Sequence, residues 1–230
     1  MNTLRWAAGL SALAALTTTG VIWAAGRPVT PIGQLRAKDV GSVVAVSGVI
    51  RDASNFSAGF KFVISDSTGL VNATLFTRVY DELEQAERLN VGAPVTITGK
   101  LNQYKGALEI VPGRKTDVQI GPLATPSVAM NTAIAQNTGR ITARPGERVV
   151  ISGTVVAVES FKSGVKWMID DGSGPRAVTV FRVVRERLPT GDDIQPGARV
   201  QVSGKVNVYR KVAEVVVALP YDVIVLESKK

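Results

Sequence analysis

The sequence predicts an all-β chain: two tandem five-stranded Greek-key barrels, each with a short helix between its third and fourth strands, behind an apolar N-terminal helix. Three observations predict it. Val, Ile and Thr abound, 22 Gly punctuate the chain and long helical periodicities are scarce, a composition that favours strands and turns. Sliding the chain against itself by 105 residues aligns Gly41–Ile120 with Gly146–Val225 without a gap, and about 25 of roughly 80 positions are identical, so one unit is written twice. Each unit also repeats one order of strands, bends and turns.

The first element is "MNTLRWAAGLSALAALTTTGVIWAAG", residues 1–26. One Arg precedes an apolar run and a tail of small residues, the layout of an export signal cut after Ala24. Left uncut, residues 6–25 are about 20 residues long, enough to anchor the chain in a membrane. Both outcomes place the rest of the chain in the periplasm or at the cell surface. "GRPVTP" opens a linker over residues 27–40.

The first unit covers residues 41–121 and the second 146–227, joined by a small, polar, Ala-rich linker over 122–145 that lets the barrels pack loosely or move apart. "PIGQ" (31–34) is echoed by "AIAQ" (133–136). Each unit begins with a β-branched run interrupted by Gly48 or Gly153, the mark of a bend or bulge. A loop with Phe56 or Phe161 follows. Two strands then flank a D-x-x-G turn, in which Asp66 or Asp171 is placed to accept backbone hydrogen bonds. Apolar positions at Val79, Leu83, Ala86 and Leu89 predict a short helix; its counterpart is shorter and interrupted at Leu188-Pro189. Two strands joined at "YKG" or "YRK" close each unit. Three strands, a helix and two strands describe the OB-fold, a small barrel whose mid-strand glycines permit sharp coiling.

The residues also resemble a family. "F-x-I-x-D-x-T-G", "V-x-A-x-L-F" and "L-x-V-G-x-P-V-x-I-T-G-K-L-x-x-Y-K-G-x-L-E-I-V-P", all within 62–112, resemble bacterial OB-fold nucleic-acid-binding domains of the kind found beside tRNA anticodon sites and in the large subunit of exonuclease VII. The resemblance covers 41–120 well and 146–225 nearly as well. It implies fold more than ligand, because many matched positions are barrel glycines and core residues. No synthetase or nuclease catalytic domain accompanies it, and exported relatives include small envelope proteins without known nucleic-acid roles.

Composition narrows the function. The chain has neither Cys nor His, which excludes thiol nucleophiles, Ser-His-Asp triads, imidazole bases and thiolate or imidazole metal sites. Its net charge is +8, suited to an anionic partner. Residues 31–124 hold ten Lys/Arg against nine Asp/Glu, and residues 139–230 fifteen against ten, so most of the excess lies in the second unit.

An OB barrel binds across strands two and three, between the 1–2 and 4–5 loops. The residues there are Phe56, Lys61, Lys100, Asn102, Tyr104 and Lys105 in unit one. In unit two they are Phe161, Lys162, Lys166, Lys205, Asn207, Tyr209, Arg210 and Lys211. Aromatic rings stack on bases and cations follow phosphates. The same residues also fit a plainer reading, in which each Phe caps a barrel end, each Tyr lies on the sheet and each Lys is solvated. Asp170-Asp171-Gly172-Ser173-Gly174 lacks the spaced ligands and closing Glu of a calcium loop, and Asp81, Glu82, Glu84 and Glu87 fit a solvated helix face. No catalytic, metal or cofactor site is expected. The sequence therefore predicts an exported, non-enzymatic protein that binds single-stranded nucleic acid without sequence preference, the second barrel dominating. The alternative is a cell-envelope module for a protein or anionic surface polymer.

Overall fold

The computed structural model describes residues 23–24, 27–121, 134–190 and 194–228. Apart from a two-residue pairing of Trp23–Ala24 with Arg27–Pro28, the export or anchor segment lies outside the described residues. Among the described residues, no helix is long and apolar enough to cross a membrane.

The first unit comprises β1 (Val43–Phe56), β2 (Gly59–Ser65), β3 (Leu70–Phe76), α1 (Thr77–Tyr80), β4 (Pro94–Tyr104), β5 (Ala107–Val111) and β6 (Val118–Ile120). The second repeats it as β7 (Arg148–Phe161), β8 (Gly164–Asp170), β9 (Arg176–Phe181), α2 (Arg182–Arg185), β10 (Arg199–Tyr209), β11 (Val212–Val216) and β12 (Val223–Glu227). In unit one, β1 pairs with β2, β2 with β3, β3 in parallel with β5, β5 with β4, and β4 returns to β1. Unit two closes through the equivalent circuit. Each is a closed five-stranded barrel, with β6 or β12 added beside its fourth strand.

The 14-residue β1 and β7 serve two neighbours because they coil. A Cβ on Gly48 would lie 2.3 Å from the Ser65 carbonyl oxygen, so only glycine permits that approach. One bulge follows between Ile50 and Asp52, and its copy between Val155 and Ala157. Strand parity then fills the core. Phe60, Phe62 and Ile64 are buried, as are Val165, Trp167 and Ile169, while Lys61 and Lys166 alternate outward. Burying such side chains contributes about 1.5–3 kcal/mol each, consistent with folding without disulfides.

Three local features differ from the sequence reading. Residues 29–40 are not an extended linker: Val29 bridges Ala45, two 3-10 turns follow, and Ile32 and Leu35 are buried in the core. The echo of "PIGQ" is "NTGR" (137–140), not "AIAQ". Thr30 and Gln136 donate to the equivalent carbonyls of Ala45 and Val150, and Gly33 and Gly139 meet the Thr68 and Ser173 hydroxyls. The helix expected through Leu89 is one α-turn and a separate 3-10 turn at Ala86–Arg88. Like charges at Asp81, Glu84 and Glu87 would stack at three-residue spacing on a continuous helix and oppose it.

The barrels also touch directly. Lys205 Nζ donates to Asp52 at 2.5 Å, Asn55 Nδ2 donates to the Val217 carbonyl at 2.8 Å, and Arg187 forks onto both Asp81 oxygens at 2.5 and 2.7 Å. At the repeat positions of Asp52, Asn55 and Arg187 stand Ala157, Ser160 and Glu82. The docking is therefore asymmetric although the units are copies.

Candidate nucleic-acid interface

Four outward side chains line up across each barrel. In the first they are Lys61 on β2, Thr74 on β3, Glu109 on β5 and Asn102 on β4, with Lys61 opposite Thr74 and Asn102 opposite Glu109. In the second they are Lys166, Thr179, Glu214 and Asn207. All four pairs are identical in the repeat.

Each Glu organises its row. Thr179 Oγ1 donates to Glu214 at 3.0 Å, Asn207 Nδ2 donates at 3.2 Å and Lys166 Nζ lies 3.0 Å away. This offsets the desolvation of a buried carboxylate. In the first barrel Thr74 donates to Glu109 at 2.9 Å, and Lys61 stands off at 3.8 Å. Both lysines also lie over tyrosine rings, Lys61 at 4.6 Å from the Tyr104 centroid and Lys166 at 5.3 Å from that of Tyr209.

Aromatics frame the rows. Phe56 meets Phe76 edge-on at 5.8 Å, and Phe161 meets Phe181 at 6.2 Å. Packing and exposure coexist here: the loop phenylalanines are held by ring contacts, yet Phe161, Tyr104 and Tyr209 remain exposed. On the second barrel these side chains border a cleft of about 430 Å³.

The 4–5 loops are two-residue turns, because Tyr104 pairs with Ala107 and Tyr209 with Val212. Their central residues all have positive φ: Lys105 (50°) and Gly106 (84°) in one, Arg210 (49°) and Lys211 (68°) in the other. This is the left-handed hairpin geometry that favours Asn and Gly. The second tip holds two cations there instead.

The expected residues are therefore mostly gathered. Phe56, Lys61, Asn102, Tyr104 and Lys105 share one face, and Phe161, Lys166, Asn207, Tyr209 and Arg210 share the other. Lys211 is exposed at the tip, and Lys162 is exposed in the 1–2 loop. Lys100 is exposed farther down β4, opposite Val43. Lys205 is the departure: its ammonium is held between the barrels by Asp52, away from the Asn207–Tyr209 group it was expected to join. Glu109, Glu214, Thr74, Thr179, Phe76 and Phe181 were not anticipated as site residues. The repeat carried the signal, since each pair is identical at the same offset.

Among the described residues, no cluster of acids is placed to hold a metal. Asp66 and Asp171 serve as turn acceptors. Partial burial pushes the Asp66 carboxyl up, but the Thr68 hydroxyl and the Ile32, Thr68 and Gly69 amides outweigh it and hold it below its ordinary value. The Ser173 hydroxyl and amide, with the Thr138 hydroxyl, hold Asp171 well below.

With this geometry in place, sequence comparison finds a match in the first barrel. Residues 43–118, about a third of the chain, match the tRNA anti-codon family, an OB-fold nucleic acid binding domain. The second barrel repeats that fold strand for strand. No curated protein matches the chain. Among solved structures, similarity is found to asparaginyl-tRNA synthetase from Pyrococcus horikoshii complexed with asparaginyl-adenylate, at 21% identity over 37% of this chain and 20% of that one, TM-score 0.33. It is also found to the p204 HINb domain, at 13% over 78% and 95%, TM-score 0.37. A replication protein A heterotrimer bound to ssDNA shows 11% identity over 88% and 52%, TM-score 0.47. The chain thus spans about a fifth of the synthetase's length and about half of the replication protein A chain's.

Proposed function

We propose that this chain is an exported, non-enzymatic protein that binds single-stranded nucleic acid without sequence preference, mainly through its second barrel. The observation that carries this reading is the second hairpin tip, where Arg210 and Lys211 sit in left-handed backbone beside the exposed Tyr209 ring. A non-glycine residue in that conformation costs about 1 kcal/mol, and the first barrel has Gly106 at the position of Lys211. A strained pair of cations next to a flat ring is what a phosphate beside a stacked base requires.

The rest of the face divides the work. Cations at the rim (Lys162, Arg210 and Lys211 on one barrel, Lys105 on the other) are exposed and meet phosphates. At the centre, Lys166 is neutralised by Glu214, leaving a polar row without net charge beside rings on which any base can stack. Export rests on residues 1–26 and puts the protein in the periplasm or at the cell surface, free or anchored through residues 6–25.

A second reading, an envelope module for a protein or anionic polymer, is favoured by one observation: the central carboxylates Glu109 and Glu214 suit a partner richer in donors than a phosphate backbone. Fluorescence anisotropy of residues 27–230 with a labelled single-stranded oligonucleotide separates the two. Micromolar or tighter binding that weakens steeply with salt and is indifferent to base sequence supports nucleic acid. No binding even at low salt removes that reading and leaves the envelope module.

A further inference from the structure

A cavity of about 650 Å³ opens where the two barrels dock. Its wall includes Phe56 from the first 1–2 loop, Lys162 from the second, and Phe181, Arg182, Glu186 and Arg187 from the end of β9 through α2 and just beyond. That volume falls within the range of small-molecule sites.

Two wall residues belong to the binding faces as well. Phe56 stands 5.7 Å from Lys61 Nζ on the first face. Phe181 also borders the second-barrel cleft that holds Lys166 and Tyr209. The cavity therefore shares one aromatic ring with each face.

Its charge is specific too. Glu186 and Arg187 lie 3.8 Å apart, and Arg187 is further held by Asp81, so this group compensates itself. Lys162 and Arg182 are exposed and form no ion pair among the described residues, and the Arg182 guanidinium donates to the Lys162 carbonyl. The wall thus offers two rings and two uncompensated cations. Their complement is a flat aromatic ring carrying an anionic group. The contacts between the barrels, Asp52–Lys205, Asn55–Val217 and Asp81–Arg187, belong to this asymmetric docking, and Asn55 and Arg187 also line the cavity.

We infer that the inter-barrel cavity takes one nucleotide unit of a strand running from the first face to the second, its base against Phe56 and Phe181 and its phosphate at Lys162 and Arg182. This rests on the nucleic-acid reading above. A free nucleotide has the same chemistry, and the test distinguishes the two sources.

The full chain is titrated with thymidine monophosphate and with oligothymidylates of about 6 and about 20 nucleotides, the shorter near the site size of one OB barrel. The variants are K162S/R182S, both at exposed positions, and Phe56→Leu, which keeps an apolar contact with Phe76 but loses the flat ring. A bridging strand gives one chain per 20-mer and affinity at least about a hundredfold above the 6-mer. Each variant then lowers 20-mer affinity about tenfold more than it lowers 6-mer affinity, and equal losses on the two strands, which place these residues on a single-barrel face, overturn the bridge. Monophosphate binding abolished by the variants, with 20-mer affinity unmoved, assigns the cavity to free nucleotide. If oligomers bind but neither ligand responds to the variants, the inference is overturned while the nucleic-acid reading stands. If no oligomer binds at low salt, the reading beneath it fails.

Discussion

Lys166 and Glu214 face each other at 3.0 Å in the middle of the second barrel's outer face. The cation that parity pointed at the ligand is thus already matched by an acid, and the net positive charge of the site moves out to its loops. Substituting Glu214→Gln keeps the hydrogen-bonding shape but unmasks Lys166. Affinity for a single-stranded oligonucleotide should rise about threefold to tenfold, and the salt dependence should steepen by about one counterion. Unchanged affinity and slope would show that ligand does not approach this row. Lys166→Met is predicted to destabilise the barrel instead, by about 1–3 kcal/mol, because it leaves a buried carboxylate unpaired.

The Arg210-Lys211 tip predicts opposite effects on stability and binding. Lys211→Gly relieves a φ of 68° and should raise stability by about 0.5–1 kcal/mol in urea unfolding. The same substitution should weaken oligonucleotide binding several-fold and reduce the salt slope by about one. A stabilised variant with undiminished binding would detach the tip from function.

Lys205 provides a contrast. Its ammonium lies on Asp52, between the barrels. Lys205→Ala should leave affinity for a 6-nucleotide strand within about twofold, whereas Arg210→Ala should weaken it about tenfold. Hydrogen exchange around Asp52 and Asn55 should rise in Lys205→Ala, because the loosened contact is the docking. A loss of short-strand affinity equal to that of Arg210→Ala would contradict this division.

Acid should release the segments before each barrel. Asp66 accepts from the Ile32 amide and Asp171 from the Thr138 amide, and both carboxyls are held below the ordinary value of 3.8. A lowered folded-state value means the stabilisation is fully present above the unfolded value and is lost as pH falls through the folded one. Protection of the Ile32 and Thr138 amides, measured against their intrinsic exchange at each pH, should hold down to about pH 4 and fall below it, first where the carboxyl is less depressed, at Asp66. Protection unchanged to pH 2 would contradict the linkage.

Much of the fold was legible because it follows from local rules. The alternation of Phe60, Phe62 and Ile64 with Lys61 fixes which face is core, and Gly48 and Gly153 mark where the first strand of each unit must coil. Less of the site could be read. Lys205 and Lys100 share the pattern Gly-Lys-x-Asn-x-Tyr, and nothing within one unit says that the other unit will cover one of them. Glu109 looks like any outward residue of an edge hairpin until the barrel closes and brings β5 beside β3, placing it under Thr74 and Lys61. Ile32 and Leu35 lie in a Gly/Pro-marked stretch without periodicity, and only the closed barrel creates the end they seal.

On the proposed function, exposed rings flanked by basic tips, on the face carrying the Lys-Thr-Glu-Asn row, hold single-stranded nucleic acid. That reading is tested most directly by photo-cross-linking the chain to an oligonucleotide bearing 5-iododeoxyuridine and mapping the modified peptides. Cross-links are expected at Tyr209 and Phe161 first, at Tyr104 and Phe56 more weakly, and should be lost in high salt. Cross-links confined to other surfaces, or none at low salt, would contradict it.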